Sequence, residues 1–361
     1  MSSENNIERI TTIGGGTGTP IVNEALLTAG AEYITSVAST MDSGGTTGRR
    51  RLDSYGIEIA HADAKRILIS LADKNNLTPK QYEALVTLLT KRDKRQKDLG
   101  HEIMSQLFDG HGNGYEDAQR MLENLTNVAF KGKVVPVTKE PTNIVFTTEE
   151  GITYKGEDQL DSHYMSEDKV KGMWLEPCAV ACPDAVKAMV ADFVVFSPGS
   201  LHGSVLCCLL PHGMNDGLKK SAALKIYVTN LVSARNETHH FTPHDFVELF
   251  RQYSGMDNPI DVLIVPQMTR REFESKYPDI SRRYSKEHSH YLGWEDNVLK
   301  KAEEEDGVRM VTHKATSIVE RGQQKVIRHD PKKLSEPFST LLYEARSLVA
   351  DLDSSKVEVG S

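Results

Sequence analysis

The hydrophobic positions near the start of the chain follow two different periods. Short apolar runs over 9–13 and 33–38 are typical of buried strands, whereas the apolar positions over 19–29 recur at helical spacing. A glycine run at 14–18 separates the first strand from the helix. Strand, glycine loop, helix and second strand together predict a βαβ unit of a parallel sheet. The predicted buried face of the helix consists of Ile21, Val22, Ala25, Leu26 and Ala29.

Helical and strand patterns continue to alternate further along the chain. Helical spacing recurs over 63–71 and from 79 onward, and apolar runs at 193–196, 225–231 and 262–265 predict strands. The run at 193–196 is apolar at every position, which is typical of a strand covered on both faces. The pattern therefore predicts an α/β fold with a doubly wound, mostly parallel, Rossmann-like sheet.

Three segments depart from this alternation. Residues 128–156 alternate between apolar and polar positions and predict a small β insertion on the flank of the sheet. Residues 267–307 are polar and rich in Arg, Lys, Tyr and Glu, which favours either a flap or an exposed helical segment. The polar end of the chain, 354–361, is expected to be a disordered tail. The remainder, 8–345, is expected to form a single domain.

The composition of the 361-residue chain narrows its class. Lys and Arg number 43 against 51 Asp and Glu, so the formal net charge is −8, which argues against nucleic acid as a partner. Because no apolar run reaches the roughly 18 residues needed to span a bilayer, no membrane span is expected. The first residues show no signal-peptide core, and four cysteines do not form a disulfide framework in a chain of this length. We therefore expect a cytoplasmic protein.

Three loops rich in small residues each follow a predicted strand, at 14–18, 42–49 and 197–200. In a parallel sheet such loops lie at one edge, where ligands bind. Glycine lets the backbone approach a ligand, and the helix behind the loop presents free N–H groups to phosphate. We therefore predict a phosphate or nucleotide site, although the same glycines would also suit ordinary tight turns. The predicted binding residues here are Gly14, Gly15, Gly16, Thr17, Gly18, Ser43, Gly44, Gly45, Thr46, Lys65, Gly199 and Ser200.

The first glycine loop differs from the two common nucleotide-binding motifs. It lacks the Lys-Ser/Thr ending of a P-loop. Thr19 occupies the position of the third small residue of the dinucleotide fingerprint, and no acidic residue ends the second strand at Val37 or Ala38. A nicotinamide-dependent oxidoreductase is therefore disfavoured.

Two carboxylates and two cationic side chains fall near the second loop. Asp42 and Asp63 could hold a hydrated Mg²⁺ against phosphates, although helix capping would explain Asp63 equally well. Arg49 and Lys65 could neutralise phosphate charge. If the protein is a transferase, we expect Asp42, Asp63 and Arg49 to be its catalytic residues, with both aspartates as metal ligands.

The strand predicted at 225–231 leads into a further group of polar residues at the same edge. Asn230 ends this strand, and its amide can both donate to and accept from a base or sugar. Glu237 lies in the loop beyond and is also predicted to bind the ligand. Nearby histidines raise the alternative of a metal site, but their spacing fits no standard motif, which favours surface or helix-start roles. They are His239, His240 and His244.

Several of these segments resemble the motifs of one family in order and spacing. The three loops match at Gly-Gly-Gly-Thr-Gly over 14–18, Asp-Ser-Gly-Gly-Thr-Thr-Gly-Arg over 42–49 and Ser-Pro-Gly-Ser-Leu over 197–201. From about residue 9 to 345 the chain resembles the CofD/YvcK family, and it is closer to the YvcK branch. The other matching segments are Asp63-x-Lys65, Gly100-His101, Asn230 with Glu237-Thr238, and 328–334.

The resemblance also implies a function. YvcK-like proteins are associated with UDP-sugar or dinucleotide binding and with control of carbon metabolism and envelope synthesis, without an established reaction. CofD-like proteins transfer a phospholactyl group from a guanosine diphosphate carrier to a deazaflavin alcohol, with Mg²⁺. For this chain the resemblance implies a nucleotide-containing small molecule as ligand: a UDP-sugar, NAD or a guanosine nucleotide. It leaves open whether a reaction is catalysed and whether the protein is a homodimer.

Two departures from the family pattern affect the expected charge of the site. Ser43 stands where the family usually has a second, adjacent aspartate, which removes one charge from any metal site. Lys65 stands where an arginine is usual, and the two side chains are not equivalent in bidentate contact with phosphate.

Overall fold

A computed structural model describes residues 8–44, 47, 59–92, 99–109, 114–160, 168–322 and 324–358. In this part of the chain the strands are, in order, β1 (Ile10–Gly14), β2 (Ile34–Ala38), β3 (Gly132–Pro136), β4 (Asn143–Thr148), β5 (Thr153–Lys155), β6 (Val170–Glu176), β7 (Phe193–Phe196), β8 (Leu224–Val228), β9 (Val262–Pro266), β10 (Arg309–His313), β11 (Thr316–Arg321) and β12 (Gln324–His329). The helices are α1 (Gly18–Thr28), α2 (Ala62–Ser70), α3 (Pro79–Thr90), α4 (Leu99–Asp109), α5 (Tyr115–Thr126), α6 (Pro183–Ala188), α7 (Met214–Lys220), α8 (Pro243–Ser254), α9 (Arg270–Lys276), α10 (Pro278–Lys286), α11 (Asp296–Asp306) and α12 (Pro331–Glu358).

Seven of the described strands form a parallel sheet in the spatial order β10–β9–β8–β7–β1–β2–β3. Strand β1 pairs with β2 on one side and with β7 on the other, so Ile10 lies opposite both Ile34 and Phe193. The chain fills one half of the sheet from β1 to β3 and the other half from β7 to β10. This order confirms the doubly wound α/β fold and puts its switch point beside the first glycine loop.

Alternate residues of the central strands enter two separate cores. In β7, Phe193 and Val195 pack in the layer that contains α1 and α12, whereas Val194 and Phe196 pack in the layer that contains α8. All four side chains are buried, as the continuous apolar run predicts. Burial of each such side chain stabilises the fold by about 1.5–3 kcal/mol.

The buried face of α1 agrees with the helical pattern. Val22, Ala25 and Leu26 are buried, and Ile21 and Ala29 are partly buried against the same core. Their spacing therefore orients α1 on the sheet and directs its N-terminus to the edge where β1 ends.

A buried hydrogen-bond network ties α1 to its neighbours. Thr12 Oγ1 donates to Asn23 Oδ1 (2.9 Å), and Asn23 Nδ2 donates to Ser36 Oγ (3.0 Å) and to Ser70 Oγ (3.1 Å). Asn23 is fully buried. The network joins β1, α1, β2 and α2, which are the elements that flank the first two glycine loops.

The antiparallel insertion lies later in the chain than the sequence pattern predicts. Strands β4, β5 and β6 form a separate sheet in the order β5–β4–β6, over 143–176. Strand β3 instead pairs in parallel with β2 at the edge of the central sheet. The boundaries 128–156 of the predicted insertion are therefore corrected to 143–176. An edge strand and a strand of a separate sheet share the same period of two, so the pattern alone does not distinguish them.

Two other segments can be compared with their predictions. Residues 267–307 contain helices α9, α10 and α11. Helix α12 continues to Glu358, so residues 354–358 are helical where the sequence predicts a disordered tail, and 359–361 lie outside the described residues. Throughout the described ranges, no helix has the length and apolar character required to cross a bilayer.

Candidate functional site

The glycines of the first loop differ in their surroundings. A Cβ on Gly15 would lie 2.1 Å from Asp63 Oδ2, and one on Gly18 would lie 1.6 Å from the carbonyl oxygen of Pro198. Close contacts within the protein therefore require both glycines. A Cβ on Gly16 would meet no described atom within 4 Å, and Gly16 has a φ of +61°. Its backbone is open to the close approach of a ligand.

The N-terminus of α1 is available to an anion. The helix begins at Gly18, and among the described residues the preceding Thr17 side chain makes no capping hydrogen bond. The first turn of α1 contains no acidic side chain. The first N–H groups of a helix lack partners within it and carry the positive end of its dipole. Such an end binds phosphate.

A cavity of about 260 Å³ lies against this end of α1. The remainder of its wall comes from the loops after β7 and β8 and from β12. Arg328, on β12, adds a positive charge to the wall, and His329 lies beside it. The cavity brings together six of the predicted binding residues, namely Thr17, Gly18, Gly199, Ser200, Asn230 and Glu237.

Asn230 holds the third glycine loop in place. Its Oδ1 accepts a hydrogen bond from the Gly199 N–H (2.7 Å), and its Nδ2 donates to the Gly199 carbonyl (2.6 Å). The side-chain amide that was predicted to recognise a base or sugar is thus paired with backbone. Its role in the structure is to join the end of β8 to the loop after β7.

Glu237 organises the start of the turn that follows this loop. Its Oε1 accepts from Ser200 Oγ (3.0 Å) and from the His202 N–H (2.7 Å), and it lies 3.3 Å from His202 Nδ1. Ser200 Oγ in turn accepts from the Gly203 N–H (3.0 Å). Glu237 is 4% exposed, so burial and these hydrogen bonds fix its carboxyl group at the cavity wall.

The carboxylate of Asp63, at the start of α2, contacts the first glycine loop from the other side. It accepts a hydrogen bond from the Gly16 backbone and forms an ion pair with Arg66 at 3.2 Å. Burial raises the pKa of Asp63 to about 6, with a further contribution from the negative charge of Asp42. The Gly16 N–H and Arg66 oppose this rise. Asp63 therefore changes charge close to neutral pH.

The antiparallel insertion reaches the second glycine loop. Ser43 Oγ donates to Asp158 Oδ1 (2.7 Å) and accepts from the Asp158 N–H (3.1 Å). Asp42 Oδ1 accepts from the Gly44 N–H (2.8 Å). The Glu157 carboxylate lies 3.9 Å from the position of a Cβ on Gly44. The turn after β5 thus brings additional acidic residues to the site.

Among the charged and ionisable residues at the site, Glu157, Asp158, Arg328 and His329 were not predicted. A glycine at 156 with a φ of +110° marks the turn that carries the first two, but no local pattern indicates that this turn lies beside residue 43. Arg328 and His329 belong to the segment 328–334, which resembles a family motif. That resemblance could have identified them as site residues.

Of the remaining predicted residues, two lie in the described part of the chain and three lie outside it. Lys65 lies in α2 and is 6% exposed, and Gly14 ends β1 with a φ of +146°. Gly45, Thr46 and Arg49 lie outside the described residues.

The match to a known family covers most of this architecture. The sequence model described as 2-phospho-L-lactate transferase CofD matches residues 10–316, from β1 to the start of β11. The chain belongs to the CofD family. The relationship expected from the three glycine loops and the other matching segments is therefore confirmed.

Individual relatives agree with the YvcK branch. A protein from Aquifex aeolicus, provisionally named a gluconeogenesis factor, is 28% identical over 92% of this chain and 96% of its own length. The gluconeogenesis factor of Listeria monocytogenes is 29% identical over 68% of this chain and 74% of its own length. A crystal structure of a protein from Bacillus halodurans superposes with a TM-score of 0.74 at 23% identity, covering 91% of this chain and 98% of that chain. This structural superposition supports the fold of the chain.

Proposed function

We propose that this protein binds a nucleotide-sugar or a dinucleotide and regulates central carbon metabolism. The observation that carries the proposal is the open N-terminus of α1, which lines one cavity together with Arg328. A helix N-terminus and a guanidinium group each bind an anion favourably. A diphosphate has two adjacent anionic phosphate groups, one for each of them. The diphosphate would therefore lie between Thr17 and Arg328.

The negative side of the cavity would bind the sugar. Glu237 lines the wall, and a carboxylate accepts hydrogen bonds from hydroxyl groups but repels phosphate. The opposite charges of Glu237 and Arg328 would thus orient the ligand along the cavity. A volume of about 260 Å³ is below the roughly 300–1,000 Å³ of typical small-molecule pockets. We therefore assign to it only the diphosphate and one sugar, and the base would extend beyond it.

The metabolic part of the proposal is supported by the names of relatives. Proteins from Listeria monocytogenes and Halalkalibacterium halodurans are both named gluconeogenesis factors, and the second aligns with 91% of this chain. Such a role would use a bound metabolite as its signal and would need no chemical step at the site.

Binding can be tested by calorimetry and thermal denaturation with UDP-glucose, NAD and GDP, each with and without Mg²⁺. A ligand at about 100 times its Kd should stabilise the folded protein by roughly 2.7 kcal/mol. Arg328→Gln should weaken binding by roughly 10- to 150-fold, since a charge-assisted contact of about 1.5–3 kcal/mol is lost. Arg282→Gln, at an exposed arginine of α10, is the matched control and should bind normally. Equal affinity of the two variants would contradict the assignment of Arg328.

A second candidate, a CofD-like transferase, is favoured by the pairing of Asp42 with Asp63. Proximity to Asp42 contributes to the raised pKa of Asp63, so a cation between the two carboxylates would relieve an existing repulsion. Mg²⁺ is commonly held by one or two carboxylates and retains several waters, so these residues fit it. When bound, the ion would offset charge on a phospholactyl-type group as the diphosphate bond of the donor breaks, a nucleoside monophosphate leaves and the bond to an acceptor alcohol forms. Arg66 already offsets part of the charge of Asp63, which places this candidate second.

The transferase candidate makes a separate prediction. Asp42→Asn should abolish Mg²⁺-dependent turnover of the nucleoside diphosphate carrier, yet leave nucleotide binding in place. Product formation with the acceptor alcohol, followed by phosphorus NMR, measures the first effect, and calorimetry measures the second. Absence of turnover by the wild-type protein with Mg²⁺ would leave the binding function as the conclusion.

A further inference from the structure

Three histidines outside the cavity converge from two loops. His239 and His240 lie between β8 and α8, and His290 lies between α10 and α11. The ring centroids of His239 and His240 are 3.9 Å apart, and those of His290 are 5.0 Å and 5.4 Å from them. One ring nitrogen of each histidine lies within 4.8 Å of the others. The spacing of His239, His240 and His244 in the sequence argued against a metal site. That spacing did not include His290, which is distant in sequence.

The fold holds these two loops together next to the cluster. The Ser233 N–H donates to the His290 carbonyl (2.8 Å), and the His290 N–H donates to Ser233 Oγ (2.9 Å). Ser233 Oγ also lies 3.1 Å from His290 Nδ1. When Nδ1 of His290 carries the proton and donates it to Ser233 Oγ, Nε2 is left as the ligating atom; a metal-binding histidine donates its other ring N–H to an outer partner in this way.

The cluster has two further features of a metal site. His240 has a φ of +63°, a conformation that is uncommon for a residue with a side chain and that is found in strained, functional segments. His290 is the buried member of the three, so the surrounding side chains hold its ring in place, as a metal site requires of its ligands.

We propose that His239, His240 and His290 bind a divalent transition-metal ion of the Zn²⁺ class. Three imidazoles leave the fourth position of a tetrahedral ion open to water or another ligand. With metal–nitrogen distances of about 2.0–2.1 Å, the ligating nitrogens are roughly 3.4 Å apart, so each pair of nitrogens would approach by at most about 1.4 Å on binding. His240 is exposed and can rotate to do so.

A second cluster of possible metal ligands in the described part of the chain differs from the three histidines. His244, Glu248 and Asp306 also lie within 4.8 Å of one another. There, Arg251 already pairs with both carboxylates, at 2.7 Å in the case of Asp306. Arginine thus supplies the cation at this cluster, whereas no carboxylate belongs to the group of three histidines.

Metal binding would affect the cavity through the loop after β8, which carries both His239 and the cavity residue Glu237. Glu237 lies two residues before His239, and its N–H donates to the Ala234 carbonyl (3.3 Å) within the same turn. An ion that joins this turn to His290 would reduce the motion of Glu237. The proposed site nevertheless stands on the three histidines and does not depend on the nucleotide-binding proposal.

The test uses the full-length, tag-free protein, stripped of metal with a chelator that is then removed. Titration with Co²⁺ should produce intense visible d–d absorption that saturates at one equivalent, and Zn²⁺ should abolish it by displacement. His240→Asn preserves the left-handed backbone, because asparagine tolerates this conformation, but removes an imidazole ligand. His290→Ala removes the buried ligand. Each variant should bind Co²⁺ at least about tenfold more weakly.

Two controls separate ligation from folding. His212→Ala, at an exposed histidine outside the cluster, should bind Co²⁺ as tightly as the wild-type protein. The metal-free His240→Asn protein should melt close to the metal-free wild type, so that its weaker binding is not a consequence of unfolding. Absence of stoichiometric Co²⁺ binding by the wild type, or unchanged affinity in His240→Asn, would overturn the proposal.

Discussion

The backbone N–H of Gly16 donates a hydrogen bond to the buried carboxylate of Asp63. This bond joins the first glycine loop to the start of α2. The neighbouring Gly15 has no room for a side chain beside the same carboxylate, so the loop and Asp63 are closely fitted. A hydrogen bond to an ionised carboxylate is stronger than one to the neutral acid, so the charge of Asp63 affects how firmly the loop is held.

We expect Asp63→Asn to stabilise the metal-free protein near neutral pH. The pKa of Asp63 is raised from 3.8 to about 6 in the folded state. The unfolded chain releases this proton near pH 4 and the folded protein only near pH 6, so stability falls as the pH rises between these values. Asp63→Asn should therefore be more stable than the wild type by roughly 1–3 kcal/mol at pH 7, with little gain at pH 4. Urea unfolding at both pH values, with a chelator present, measures the difference.

An exposed aspartate provides the control for this experiment. Asp257→Asn should change the free energy of unfolding by the same small amount at pH 4 and at pH 7. A gain for Asp63→Asn that is as large at pH 4 as at pH 7 would contradict the role of its charge.

Alanine should have different effects at Gly18 and Gly16. At Gly18 the new Cβ would collide with the Pro198 carbonyl, and we expect a loss of about 3 kcal/mol or more. At Gly16 the Cβ has space, and only the left-handed backbone disfavours it, by about 1–2 kcal/mol. Chemical denaturation measures both losses. Similar values for the two variants would show that the close approach of α1 to Pro198 is not maintained in solution.

Loss of the Asn230 amide should loosen the third glycine loop. Asn230→Ala removes both hydrogen bonds to Gly199, and we expect the free energy of unfolding to fall by about 1–3 kcal/mol. Hydrogen exchange of the Gly199 amide should become faster. Asn230→Asp keeps the acceptor for this N–H but replaces the donor to the Gly199 carbonyl with an oxygen, so the protection should be only partly retained. Exchange in Asn230→Ala as slow as in the wild type would mean that another group controls the loop.

The buried network around Asn23 should contribute strongly to stability. Asn23→Ala would leave Thr12, Ser36 and Ser70 without a shared partner in a region closed to water, and we expect a loss of about 2–4 kcal/mol. Thermal and urea denaturation measure it. Asn297→Ala, at an exposed asparagine of α11, should change stability by less than about 0.5 kcal/mol. A comparably small effect of Asn23→Ala would argue that water enters the network.

Much of the fold could be predicted because it depends on local periods. The apolar run at 193–196 and the helical spacing of Val22, Ala25 and Leu26 reflect burial on two faces and on one face, respectively. The three loops also follow their strands as expected, because parallel strands direct their carboxyl ends to one edge. The extent of the β insertion was not predictable in this way, since β3 has the same local pattern as a strand of a separate sheet.

The sequence by itself determined the α/β fold, the family and the order of the glycine loops, because these depend on the spacing of nearby residues. Only the tertiary structure decided which distant residues meet. It brought Asp158 to Ser43 across 115 positions, Asn230 to Gly199 across 31, and Ser233 to His290 across 57. Such pairs depend on strand order and on how loops pack at the sheet edge. These are long-range properties of the folded chain that local hydrophobic periodicity does not encode.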